Sequence, residues 1–253
     1  KDDLDIIDPD DGTMGVVDLC QFRVDPKLIH ELLEKGVMIM LTGSKFFQAP
    51  PFCAAMLVPR KWSEELKQVE ASIIEPYGKL FSAYDVPWFM QNMREYLPER
   101  ENKALRLRWE IALDEMEAYS YWSVEQTDDI ITRWAMGVMA RVEDSAYFRL
   151  MPDQLKTNMS IISLQVWVNG SALNNTQLKE LFKAITTSTH AGFKNGIKKV
   201  FFGQPVQYGE RSFIRLAIGA YAVRAFLEED AIDLHNDYRT IEIIEEFAQK
   251  MFG

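Results

Sequence analysis

One lysine, Lys45, stands in a polar turn between two apolar runs of strand length, Val37-Met38-Ile39-Met40-Leu41 before it and Cys53-Ala54-Ala55-Met56-Leu57-Val58 after it. The runs predict two strands, which puts the lysine at the mouth of a buried sheet. Lysine is seldom fully buried without a partner. When partly desolvated it gives up its proton readily, and the free amine can condense with a carbonyl compound to a Schiff base. The same window also suits a lysine that snorkels from a strand end to water. Other residues must decide between the two. Asp18 and Gln21 lie upstream, Thr42 and Ser44 precede the lysine, and Arg215 sits in a distant apolar run, Phe213-Ile214-Arg215-Leu216-Ala217. Taken singly they read as a turn or helix cap, a surface amide, two turn hydroxyls and a strand residue facing solvent. The two cysteines, Cys20 and Cys53, and the three histidines, His30, His190 and His235, have neither disulfide nor metal-ligand spacing, so structural zinc is not expected.

The elements that must position these residues are local. Met14-Gly15-Val16-Val17-Asp18 reads as a short strand ending on a carboxylate. Asp25-Pro26 supplies an N-cap and a first-turn proline, Leu28, Ile29, Leu32 and Leu33 form one apolar stripe, and Gly36 ends the helix. Strand, helix and strand in this order predict a parallel crossover, and ligands of such sheets gather at the carboxyl ends of the strands. Asp18 and the turn from Thr42 to Lys45 both fall at that edge.

An aspartate ending one strand, a glutamine three residues on and a lysine 27 residues after the aspartate resemble the class V aminotransferase and cysteine desulfurase group of fold type I pyridoxal-phosphate enzymes. The resemblance implies that Asp18 pairs with the protonated pyridine nitrogen of pyridoxal 5'-phosphate, Gln21 meets the ring's phenolic oxygen, and Lys45 carries the cofactor as an imine. It assigns Thr42 and Ser44 to the phosphate and Arg215 to a substrate carboxylate. A carboxylate beside the ring nitrogen keeps it protonated, so the ring accepts the electrons released when a bond to the substrate α-carbon breaks, and the displaced lysine can move the proton. Ala49 stands where the family more often has glycine, in Gln48-Ala49-Pro50-Pro51. The group's desulfurases need a cysteine well downstream of the lysine. None follows Cys53, which leaves aminotransfer or α,β-elimination on an amino-acid-like substrate.

The rest of the chain fits an α/β protein: the later part of a fold type I large domain followed by a small α+β carboxyl-terminal domain. Residues 1–13, with six aspartates, read as an acidic lead-in, 14–150 as the remainder of the cofactor-binding domain and connecting helices, and 151–253 as the small domain. Ser63 is expected to cap a helix, and the neighbourhoods of Pro76, Pro87 and Pro98 to break the next stretch into short pieces. Long helices are predicted over 102–121 and 127–141 and a strand over 161–168. An Asn169-Gly170 turn comes next, then a helix capped by Thr176, strands over 199–206 and 212–219, and helices over 220–229 and 239–251. In the resembled group several strands, a phosphate-binding turn and a ring-stacking side chain precede the aspartate strand. The expectation is therefore a chain completed by its own missing amino-terminal half or by a second subunit, in a dimer. The alternative is a non-catalytic, scaffold-like subunit of a larger assembly. A net charge of −10 argues against nucleic acid and anionic membrane as partners, and no apolar run is long enough for membrane insertion. A soluble, intracellular protein is the expectation.

Overall fold

The computed structural model describes residues 14–152 and 159–253. The acidic lead-in lies outside them. Two compact units form, one ending at Ala118 and one beginning at Tyr119.

The first unit begins with strand β1 (Val16–Asp18), helix α1 (Pro26–Glu34), strand β2 (Met38–Thr42) and strand β3 (Ala54–Leu57). The expected parallel crossover is present: β1 and β2 pair in parallel, with Val16, Val17 and Asp18 opposite Met38, Ile39 and Met40. β3 adds an antiparallel edge, with Met56 opposite Met40 and Ala54 opposite Thr42. α1 forms where expected because Asp25 accepts the backbone N–H of Lys27 and Pro26 occupies the first turn. Gly36 makes the reversal into β2 with φ of 79°, a left-handed conformation that a side chain would strain. One face of the sheet is filled by Val17, Ile39 and Leu57 against Leu28, Ile29, Leu32 and Leu33 of α1. At roughly 1.5–3 kcal/mol for each fully buried side chain, this small cluster fixes which face each β1 and β2 residue takes. The opposite face carries Val16, Met40 and Met56, which are 50, 39 and 49 % exposed.

After β3 come the short helices α2 (Ser63–Lys67) and α3 (Gln91–Arg94), separated by 3-10 turns around Pro76 and Ala83–Asp85, and then α4 (Lys103–Ser120). Ser63 does not cap α2. That helix begins without a side-chain cap, and Trp62 is anchored instead by its indole N–H donating to Gly36 O.

The second unit contains α5 (Val124–Glu143), β4 (Phe148–Leu150), β5 (Ile161–Val168), β6 (Ser171–Ala172), α6 (Asn175–Thr187), β7 (Gly203–Tyr208), β8 (Arg211–Ala217), α7 (Ala220–Glu228) and α8 (His235–Phe252). Its sheet has the order β4-β5-β8-β7, antiparallel throughout, with β6 paired to the end of β5. Ile162, Leu164 and Val166 of β5 and Ile214 and Leu216 of β8 face a core shared with Trp134 and Val138 of α5, Leu178 and Leu181 of α6 and Ile241 and Ile244 of α8. The break between units falls earlier than the change in sequence character near residue 150, because α5 spends its apolar stripe in this second core. Arg141 of α5 makes a two-pronged ion pair with Glu245 of α8. Trp134 donates its indole N–H to the half-buried Asp237, whose carboxyl is pushed up in pKa by its loss of hydration. The cap of α6 is Asn174, reciprocally bonded with Gln177, rather than Thr176 two residues later. An amide oxygen serves the N-cap as well as a hydroxyl does, and Gln177 at the third helical position completes the capping box.

Candidate active site

β1 and β2 end side by side, and their carboxyl ends carry most of the residues singled out above. Leu19 N donates to Met40 O, so the pairing continues one residue past Asp18 before the chain turns. In that turn the Asp18 carboxylate accepts the backbone N–H of Cys20 at 2.8 Å. Its pKa is held below the ordinary carboxylate value, first by a hydrogen bond from the Cys20 side chain, then by the Cys20 backbone N–H, and to a smaller degree by the positive charge of Lys45. The Lys45 ammonium donates to Cys20 Sγ at 2.9 Å. Thr42 donates its hydroxyl to Cys20 O at 3.1 Å, and Ser44 donates to Thr42 Oγ1 at 3.3 Å. Asp18, Thr42, Ser44 and Lys45 therefore meet around the Cys20 turn. Asp18 and Lys45 are exposed, while Thr42 and Ser44 are half-buried. Gln21 follows Cys20 in the same turn and is half-buried.

The lysine turn is held from below. Gly43 donates to Cys53 O at 2.9 Å, and its carbonyl accepts from Ala49 N at 3.1 Å. A Cβ at Gly43 would collide with the Cβ of Ala112 in α4, so only glycine lets the turn rest on that helix. Ala49, Cys53 and Ala112 form a small buried cluster with Trp109 and Met116 around this contact. Phe22, Gln48 and Phe52 all adopt positive φ, between 53 and 68°, although none is glycine. Left-handed backbone at bulky residues costs free energy and is concentrated in segments that the surrounding structure forces into shape. Both loops of the site are such segments. The Arg23 guanidinium lies over the Phe46 ring at 5.0 Å, which ties the turn after β1 to the lysine turn.

Arg215 lies in the second unit, on β8 between Ser163 of β5 and Gly203 of β7. Ile214 and Leu216 point into the core, so Arg215 takes the other sheet face, where it is half-buried. Its Nε is buried and has no hydrogen-bond partner. Gly203 makes room for the stem, since a Cβ there would approach the Cβ of Arg215 to 2.8 Å.

Cys20 is the site residue that sequence reasoning missed. Its spacing suits neither a disulfide nor a metal, and its place two residues from Asp18 in one turn is the signal that could have found it. Among the described residues no group of three or more His, Cys, Asp and Glu side chains could hold a metal ion, and no helix is long and apolar enough to cross a membrane.

No protein-family model and no curated protein matches the chain. Solved structures do. A tryptophan decarboxylase from Catharanthus roseus, solved in complex with L-tryptophan, matches 97% of this chain and 45% of its own length at 16% identity, with a TM-score of 0.56. A phosphoserine aminotransferase from Cytophaga hutchinsonii matches 95% of this chain and 56% of its own at 11% identity and a TM-score of 0.50. A 4-hydroxyphenylacetaldehyde synthase from Rhodiola rosea matches 96% of this chain and 44% of its own at 14% identity and a TM-score of 0.50. The chain spans about half the length of the structures it matches. The fold is that of fold type I pyridoxal-phosphate enzymes.

Proposed function

We propose that this chain is the later part of a pyridoxal-phosphate-dependent enzyme of the class V aminotransferase type that transforms an amino-acid-like substrate, with Lys45 as the residue that carries the cofactor. The observation that supports this best is the meeting of Asp18 and Lys45 on one turn at the sheet edge, each bonded to Cys20, a carboxylate of lowered pKa near an amine. The donor set fits the group. Bound there, pyridoxal phosphate would supply an electron-accepting ring to a substrate amine. Asp18 would hold a proton on the ring nitrogen, since a carboxylate of lowered pKa stays negative and favours a cation beside it. Gln21 would donate its amide N–H to the phenolic oxygen. Thr42 and Ser44 would turn their hydroxyls from each other to the phosphate. Lys45, released as a free amine, would move the substrate's α-proton. Arg215 would clasp the substrate carboxylate through two parallel N–H bonds, a role to which its unpartnered Nε is suited.

In this reading residues 14–150 are the remainder of the cofactor domain with its connecting helices, the last of which, α5, packs into the core of the small domain of 151–253. Aminotransferase, decarboxylase and aldehyde synthase all occur among the structures of like fold, so the substrate class is carried only as far as an amino acid or close analogue. Aminotransfer and α,β-elimination are the two reactions we propose for it. The exposed face of Val16, Met40 and Met56 beside Asp18 supports a covering polypeptide, either the protein's own amino-terminal half or a second subunit of a dimer. The test is to supply pyridoxal phosphate to the native assembly and to its Lys45→Ala variant. Cofactor absorbance in the first and its loss in the second are expected. No absorbance in either would leave a non-catalytic, scaffold-like subunit as the reading.

A further inference from the structure

Cys20 takes no part in the chemistry above, yet its sulfur is in direct contact with the Lys45 amine. Lys45 Nζ donates to Sγ at 2.9 Å, and the Asp18 carboxylate lies in the same turn. The main chain on both sides of the sulfur is fixed as well, by Cys20 N on Asp18 Oδ1 and by Thr42 Oγ1 on Cys20 O. A carboxylate and an ammonium thus lie beside one half-buried thiol. The other cysteine, Cys53, is 1 % exposed, with its thiol pushed up in pKa by burial.

We propose that Cys20 and Lys45 form a peroxide-sensitive pair, in which oxidised Cys20 captures the Lys45 amine in a reversible sulfur–nitrogen bond. The oxidant is hydrogen peroxide or an organic hydroperoxide. Sγ attacks one peroxide oxygen and the O–O bond breaks. The thiol proton passes to solvent, and Lys45 gives a proton to the departing hydroxide, which leaves as water. The products are a sulfenic acid and a neutral amine in contact with it. Sulfenic acids condense with nearby nitrogen nucleophiles. The Lys45 nitrogen attacks sulfur, the S–O bond breaks, and the departing hydroxide takes the nitrogen's surplus proton and leaves as a second water. The product is a neutral sulfenamide. Sulfur has lost two electrons and the two peroxide oxygens have gained them. The long lysine side chain closes the remaining distance by changing rotamer. A small thiol reverses the bond by attacking sulfur, which releases the amine and leaves a mixed disulfide that a second thiol reduces.

The bond stands on two side chains of this chain alone. Its consequence, that peroxide removes the amine needed to hold the cofactor, rests on the reading of Lys45 given above. The test therefore uses the full-length protein without added cofactor and reads mass, not turnover. After stoichiometric hydrogen peroxide, the protein should lose the mass of two hydrogens, digestion should give one linked peptide containing Cys20 and Lys45, and dithiothreitol should restore both. Cys20→Ser should abolish the link. Lys45→Arg should leave a Cys20 sulfenic acid that dimedone traps without any link. The proposal is overturned if oxidised wild-type protein takes up dimedone at Cys20 as fully as the Lys45→Arg variant, if the linked lysine is not Lys45, or if Cys20 is inert to peroxide.

Discussion

At the scale of single residues, the site is defined by what the Cys20 turn does to Asp18. A hydrogen bond from the cysteine side chain is the largest cause of the lowered pKa, ahead of the backbone N–H and of Lys45. Cys20→Ala should therefore move the Asp18 titration, followed by carboxyl NMR, back up toward the ordinary aspartate value, and Lys45→Ala should move it less. A carboxyl whose folded pKa is depressed contributes stability present above the unfolded value and lost as pH falls through the folded one, so the contribution of Asp18 should be complete and constant above the ordinary carboxylate range and fall away as pH drops below it. Arg215→Ala should mainly raise KM for carboxylate substrates, by the equivalent of roughly 2–5 kcal/mol for truncating one member of a buried charge pair. Equal KM values for the two proteins would remove Arg215 from the substrate site. The spacing of Asp18 and Lys45 was legible in the sequence because both sit at ends of strands joined by one well-capped helix. Cys20 was not, since a thiol's neighbours are set by a turn whose Phe22 takes φ of 53°, which no propensity foretells.

At the scale of elements, the lysine turn depends on the close approach of Gly43 to α4. Gly43→Ala would drive its Cβ into that of Ala112, so the turn or the helix must shift. The expected cost is that of an overpacked core, about 1–3 kcal/mol in unfolding free energy, together with weakened cofactor binding. Unchanged denaturant midpoint and cofactor affinity would show that the contact does not hold the turn. Strand β5 and the long helices were legible from alternation and helical spacing, and α1 from Asp25-Pro26. Arg215 was placeable on the outer sheet face from its neighbours Ile214 and Leu216 alone. Two features escaped because tertiary contacts decided them: Trp62 rather than Ser63 fixes the start of α2, and β7 begins at Gly203, where the chain meets Arg215. The cap of α6 is a local choice, made for Asn174 over Thr176 by the reciprocal bond with Gln177.

At the scale of the whole molecule, the first sheet leaves neighbouring apolar side chains open on one face. Val16, Met40 and Met56 line the face that bears Asp18, and Phe52 beside the lysine turn is 86 % exposed. Clustered exposure of this kind marks surfaces that meet another polypeptide. Isolated residues 1–253 should therefore self-associate, and sedimentation should show species above the monomer that disappear when the completing chain is present. A stable, cooperatively unfolding monomer would contradict this. The division of the chain at Ala118 and Tyr119 was hidden in the sequence because α4 and α5 follow one another with only a short turn between them, and packing reveals that α5 belongs to the second core.

Above all, Lys45 is proposed as the residue on which this protein carries pyridoxal phosphate. The most direct measurement is borohydride reduction of the native assembly after cofactor is supplied, with peptide mass mapping of the product. A phosphopyridoxyl label is predicted on Lys45, absent from the Lys45→Ala variant and diminished by Asp18→Ala. A protein that takes no label, or one labelled at another lysine with Lys45 unmodified, would contradict the assignment.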